Sequence, residues 1–411
     1  MKRINLLLPV LVSLFAFASC HKDTAVHPNK GKDLALSATD LAQASSDNAF
    51  TFNLFKTVAA ESTNGSNVFI SPLSVSMAMG MTSNGANGQT LDAIRTTLGF
   101  NGFTQDEMNS YYNKLVTQLP ELDPNTTLKI ANSIWYDNHF SVLKPFLQTD
   151  SSYYQAKVKS LDFSSPASVN TINDWVSNQT DNKITRLLDG IPSSDVMYLI
   201  NAIYFKSVWK SKFDPAKTQK LNFHKADNSA VQADFMGGRI QFNTYTYDDV
   251  SLIELPYSND KYSMVIIMPF NGKTINDIIP TLNNAWPNWM SNLRPQTADL
   301  LFPKFKFSYD VTLNNALTTL GMGVAFSPLT ADFTRINPGG GLSISQVKHK
   351  AYVAVDENGT TAAAATSVGI QLTDALIPSI IDHPFIFAIR EMKTGLILFT
   401  GTVNDPTQSG L

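Results

Sequence analysis

Fifteen consecutive residues near the C-terminal end, Gly359 to Thr373 (GTTAAAATSVGIQLT), carry no charge and no proline, and Asp374 follows them. Read at period two, Thr360, Ala362, Ala364, Thr366, Val368, Ile370 and Leu372 fall on one face. Thr361, Ala363, Ala365, Ser367, Gly369, Gln371 and Thr373 fall on the other. The first face is small and then apolar, the second stays small or polar, and no proline interrupts backbone pairing. This is the pattern of a strand with one side toward a core. Yet the four alanines are poor strand formers and good helix formers. By itself the segment fits an ordinary core strand, a short Ala-rich helix, or a stretch able to live in two states.

What precedes it is helical first and stranded later. Phe50, Leu54, Phe55 and Val58 share a helical face. Ser71-Pro72 opens a second helix with Val75, Met79 and Thr82 in line, and Leu91, Ile94, Arg95 and Leu98 mark a third, closed by Gly99. Strand patterns follow over Thr127 to Trp135, Val196 to Val208, Ser263 to Met268, Leu300 to Phe307, Ser343 to Val355, Phe385 to Ile389 and Ile397 to Thr402. Helices followed by strands, without a long Pro/Gly/Ser break, predict one α+β domain with large sheets. Its bounds are expected at residues 47–406, followed by a tail over 407–411.

The N-terminus reads as a targeting segment over residues 1–19: Lys2 and Arg3, an apolar run from Ile4 to Phe17, then Ala18-Ser19 before Cys20, the only cysteine. A lone cysteine leaves no intramolecular disulfide to form. Phe17-Ala18-Ser19-Cys20 resembles the bacterial lipobox, apart from Phe17 where Leu is usual. That resemblance implies lipidation of Cys20 and an extracytoplasmic, membrane-anchored protein of the cell envelope, with plain secretion as the alternative. Lipid chains anchor by about 0.8 kcal/mol per buried methylene. Residues 20–46 are polar and read as a tether.

A net charge of −3 and the absence of basic runs give no reason to expect a nucleic-acid partner, which needs clustered Lys and Arg. No G-x-S-x-G, H-E-x-x-H, C-x-x-C or phosphate-binding G-x-x-x-x-G-K occurs. The six histidines are spread without ligand spacing, and no metal or cofactor is expected.

The flanks of the uncharged segment decide between its readings. Val355-Asp356-Glu357-Asn358-Gly359-Thr360 with the alanine run resembles the hinge of the serpin reactive loop. Asp382-His383-Pro384-Phe385-Ile386-Phe387 and Ile397-Leu398-Phe399-Thr400-Gly401 resemble that family's closing strands. Asn67 to Ser74 (NVFISPLS) is similar to its buried helix start. Asn201 to Lys206 (NAIYFK) with Trp209 is similar to the strand and tryptophan beneath the point where the loop enters, and Lys348-His349-Lys350-Ala351 to the segment before the hinge. The likeness runs from Asn48 to Pro406.

The resemblance implies a stoichiometric protease inhibitor rather than an enzyme. A protease cleaves the exposed loop, and the freed segment inserts into the main sheet while the protease is still acyl-linked. Family spacing places the cleaved bond fourteen residues after Gly359 and eleven before Pro384, and both counts give Thr373-Asp374. Hinge residues are then Glu357, Gly359, Thr360, Thr361, Ala362, Ala363, Ala364 and Ala365; Thr361 and Asn358 depart from the family's usual charged residues. Ser71, Ser74, Asn201, His349 and Trp209 match residues that govern sheet opening. The implied partner is a serine protease, elastase-like or of broad apolar specificity, with a cysteine protease as a second class, and the inhibitor is a monomer. The alternatives are a non-inhibitory serpin that binds or carries a ligand, and an envelope adhesin.

Overall fold

The computed structural model describes residues 31–63, 65–360 and 379–409. Its first helix, α1 (Ala38–Glu61), begins earlier than the sequence suggests. The Ser37 hydroxyl accepts the Asp40 N–H at 3.2 Å, and the Asp40 carboxylate accepts the Ser37 N–H at 2.7 Å. This reciprocal cap satisfies two donors of the first turn. The chain is already tied down before the cap, where Lys32 N–H meets Leu122 O at 2.8 Å, Ala35 N–H meets Gln118 Oε1 at 2.9 Å, and Leu34 is buried. The tether predicted over residues 20–46 is therefore too long at its C-terminal end. Hydropathy hid the helix because its inward face begins with polar groups, Asp40, Gln43 and Asp47, all buried.

Next come α2 (Pro72–Gly85), α3 (Gly88–Leu98), α4 (Gln105–Gln118), α5 (Lys144–Tyr154) and α6 (Pro166–Gln179). Ser71 caps α2 through the Ser74 N–H, Pro72 sits in the first turn where a missing N–H costs nothing, and every residue of α2 is buried. Gly99, at φ 76°, closes α3 as expected.

The strands are β1 (Val68–Ile70), β2 (Thr127–Asp137), β3 (Lys157–Leu161), β4 (Met197–Val208), β5 (Asp214–His224), β6 (Ala230–Tyr247), β7 (Val250–Pro256) and β8 (Tyr262–Pro269). They continue as β9 (Arg294–Pro303), β10 (Phe305–Thr312), β11 (Lys348–Asp356), β12 (Gly359–Thr360), β13 (Ser379–Ile380), β14 (Phe385–Glu391) and β15 (Ile397–Val403). Six form the main sheet, in the order β10-β11-β12-β4-β2-β3, and the other nine form a second sheet. Two sequence expectations need correction. The run Leu300 to Phe307 is two strands in different sheets, because the chain leaves the second sheet at Pro303 and the Lys304 N–H turns to Asp234 O at 2.8 Å. Only Lys348 onward of the run from Ser343 is strand.

The main sheet has apolar cover on both faces. Inward, Ile203, Phe205, Ala351, Val353 and Val355 join the large core, where Phe69 stacks between Phe387 and Phe399 at 5.5 and 5.4 Å. Outward, α6 lays Ile172, Trp175 and Val176 on Trp135, Ile200 and Ala202.

Candidate functional site

β11 pairs along its outer edge with β10, and β4 pairs along its outer edge with β2. Among the described residues, only the two-residue β12 lies between their inner edges, antiparallel to both. β11 and β4 consequently run parallel to each other with a slot between them. Among the described residues, no strand pairs with β11 below Val355 or with β4 below Ser207 on the slot side. Backbone donors and acceptors along such edges can be satisfied by a third strand running antiparallel to both. At the far end of the slot a cavity of about 450 Å3 is bounded by Met197 to Asn201, by Val347 to His349 and by Met79, Phe326 and Ile336.

The near end is built around Gly359 and Thr360. Gly359 adopts φ 154°, and a Cβ there would fall 2.0 Å from Ser207 O, so glycine alone lets the chain approach β4 this closely. Thr360 is buried, opposite Val355 and Ser207, with its hydroxyl 2.5 Å from Tyr257 Oη. Tyr257 stacks on Trp209 at 4.5 Å, and Trp209 Nε1–H donates to Asp356 O at 2.9 Å. The turn is pinned further by the Trp209 N–H on Asn358 O (2.8 Å) and the Phe213 N–H on Glu357 O (3.1 Å). Burial disfavours ionisation of Glu357, but donors from Thr218 (2.7 Å) and Lys304 (3.0 Å) prevail and hold its carboxyl below the usual value.

A second polar cluster lies at the far end, beside the cavity. Ser71 N–H donates to His349 Nε2 at 3.0 Å, and Ser71 Oγ donates to Leu398 O at 2.8 Å. Ser74 Oγ reaches Asn201 O at 3.4 Å, and Asn201 Nδ2 donates to Asn132 Oδ1 at 2.7 Å. Asn201 Oδ1 is buried and has no hydrogen-bond partner among the described residues. Burial lowers the His349 pKa to about 4, the charge of Asp310 opposing this more weakly, so the imidazole is neutral and its Nε2 can accept.

The structure thus brings Ser71, Ser74, Asn201 and His349 into one hydrogen-bonded cluster and places Trp209 apart from them at the hinge, the point where the loop would enter. His349 and Asp356 are seven residues apart on β11, roughly 23 Å of strand. Thr361 to Ala365, Thr373 and Asp374 lie outside the described residues, as does Cys20. Sequence reasoning missed Tyr257, Thr218, Lys304 and Asn132. None carries a motif: Asn132 meets Asn201 through the pairing of β2 with β4, and the other three reach Thr360 and Glu357 from outside the strands of the main sheet. It also separated His224 from His383, whose rings stack at 5.1 Å.

Comparison with known proteins agrees with this geometry. The family model Serpin (serine protease inhibitor) matches residues 45–406. Neuroserpin of Gallus gallus is 34% identical over 83% of this chain and 86% of its own, and a serpin-like protein of Thermococcus kodakarensis is 34% identical over 87% and 84%. Among solved structures, the thermophilic serpin tengpin in its native state superposes with TM-score 0.81 at 32% identity, covering 91% of this chain and 96% of tengpin; its latent state gives 0.77. Human thyroxine-binding globulin in complex with thyroxine gives 0.82 at 30% identity, over 90% and 100%. Matched over nearly all of its folded length, this chain belongs to the serpin family.

Proposed function

We propose that this serpin is a suicide inhibitor of a serine endopeptidase, with cysteine proteases as a second target class. The observation that carries the proposal is β12: Gly359 and Thr360 already occupy the slot in register with both of its edges. Continuing that register sets Ala362 beside Val353 and Phe205, Ala364 beside Ala351 and Ile203, and Thr366 beside His349 and Asn201. Ile370 then meets Met197, the last residue of β4, and Thr373 lies just beyond it. In that register the even-numbered residues would face the core, and the first of them, Thr360, Ala362 and Ala364, are small.

In the proposed reaction the protease's nucleophile attacks the Thr373 carbonyl, the bond to Asp374 breaks, and Asp374 leaves as a free amine. The segment from Thr361 then zips between β11 and β4, drawing the acyl-linked protease to the opposite end of the sheet. Insertion must outrun hydrolysis of the acyl bond. Thr373 suits a small apolar pocket of elastase type, while Leu372, Leu376 and Ile377 suit proteases that read larger apolar side chains. Lipidation of Cys20 would hold the inhibitor at the envelope surface; a Cys20→Ser chain that partitions into detergent like the wild type would refute that anchor.

The test is to incubate the protein with elastase, subtilisin and a papain-like protease, then resolve the products on denaturing gels with mass spectrometry of the released peptide. A denaturant-resistant complex with a new N-terminus at Asp374, or within two residues of it, supports the trap. Cleavage without complex at every ratio favours a ligand carrier instead, a reading to which the likeness to thyroxine-binding globulin lends support.

A further inference from the structure

Away from the slot, β2 and β3 run parallel and end side by side, with Asp137 opposite Leu161 and the Asn138 N–H on Leu161 O at 2.9 Å. This register brings the Asp137-x-His139 turn against Asp162, the residue that follows β3. One ligand atom from each of Asp137, His139 and Asp162 lies within 4.8 Å of the others, and His139 Nδ1 is 3.1 Å from Asp137 Oδ1. Both carboxylates are held in place by donors. Asp137 Oδ2 accepts the Phe163 N–H at 2.9 Å, and Asp162 Oδ1 accepts the Ser164 N–H at 3.0 Å and the Ser164 hydroxyl at 2.5 Å. Among the described residues, no Lys or Arg forms an ion pair with either. Two adjacent, oriented, cation-free carboxylates beside an imidazole are the donor set of a borderline divalent ion.

We propose that Asp137, His139 and Asp162 form a binding site for a divalent first-row transition ion, for which Zn2+ is the probe. Tetrahedral coordination at about 2.1 Å needs ligand atoms roughly 3.4 Å apart. The Asp137–His139 pair, at 3.1 Å, is already near that separation, and the others, all within 4.8 Å, need shorten by no more than about 1.4 Å. Water completes the shell. Serine and backbone donors to the carboxylates supply the outer support that orients metal ligands. Because Ser165, three residues beyond Asp162, caps α6, the ion would tie the end of β2 to the turn that launches the helix lying over the main sheet. No single stretch of sequence carries this set, since Asp162 joins the other two only through strand pairing.

Zn2+ titrated into the purified full-length protein by calorimetry tests the site independently of any protease. The expected result is binding that weakens at least tenfold in His139→Ala and in Asp162→Asn, a Zn2+-dependent rise in Tm lost in both, and no competition from equimolar Mg2+. Zn2+ taken up at His21 or His27 would survive both substitutions. Unchanged affinity in His139→Ala, equal competition by Mg2+, or no binding at all would overturn the proposal.

Discussion

The Tyr257 phenol lies 2.5 Å from the Thr360 hydroxyl, inside the sheet, with the Tyr257 ring stacked on Trp209. This contact clasps Thr360, the second of the two hinge residues that pair with both edges of the slot. Tyr257→Phe keeps the ring and deletes the bond, leaving a buried hydroxyl unpaired at a cost of about 1 kcal/mol. Amide exchange at Thr360 is then expected to accelerate roughly fivefold, measured by hydrogen exchange with mass spectrometry. Unaltered protection there would mean that backbone pairing alone retains the hinge.

If the loop inserts in the register set by β12, charge is tolerated at Thr361 but not at the even-numbered positions that face the core. Ala364 would face Ala351 and Ile203, both buried, whereas Thr361 would face Ala354 and Lys206 on the partly exposed outer side. Desolvating an unpaired carboxylate costs several kcal/mol. Ala364→Glu and Thr360→Arg should therefore be cleaved as substrates, with little complex, while Thr361→Glu still traps the protease. Complex yields that are equal in all three variants would contradict insertion in this register.

Much of this arrangement was legible in the sequence where a residue's neighbours along the chain set its structure. Ser71-Pro72 announced a capped helix, Gly99 its neighbour's end, and the alternation through β11 gave a strand. Contacts made across the sheet were not legible: Tyr257 reaches Thr360 over 103 residues and Lys304 reaches Glu357 over 53. Polar burial misled as well, since Gln43 and Asp47 look like solvent-facing residues but line the inward face of α1. The fold family showed through because its hinge and closing strands are contiguous. The slot itself is a relation between β4 and β11, strands about 150 residues apart, which only pairing reveals.

Asn201 Oδ1 is buried beside the cavity with no donor among the described residues, and an orphan of that kind costs about 1–3 kcal/mol. Insertion would carry the Thr366 hydroxyl to this level of the sheet, where it can supply the missing donor. Thr366→Val keeps the shape and removes the hydroxyl. The cleaved, inserted form of this variant should lose about 1–2 kcal/mol of stability relative to cleaved wild type, while the uncleaved forms match. Guanidinium midpoints of all four species check this, and an equal loss in cleaved and uncleaved protein would assign Thr366 some other role.

Two buried groups give the uncleaved protein opposing pH dependences. His349 has its pKa lowered to about 4 by burial, against an ordinary 6.5. The fold therefore favours neutral imidazole, and its contribution is complete above pH 6.5 and lost as pH falls toward 4, on the order of 3 kcal/mol in all. Protonation of Nε2 would also remove the acceptor for the Ser71 N–H at the foot of the slot. Asp47 is the reverse case. Burial raises its pKa to about 6, although the Ser76, Tyr111 and Tyr112 hydroxyls all donate to it. The fold favours its protonated form, so stability from this site is greatest below pH 3.8 and falls as pH rises to about 6. His349→Gln should flatten the acid loss of stability between pH 6.5 and 4, and Asp47→Asn, which removes the opposing trend, should steepen it. Urea midpoints of the first unfolding transition across that range separate the two. If Asp47→Asn flattened the profile instead, its carboxylate would have to be ionised in the fold, stabilised by the three hydroxyls more strongly than burial penalises it.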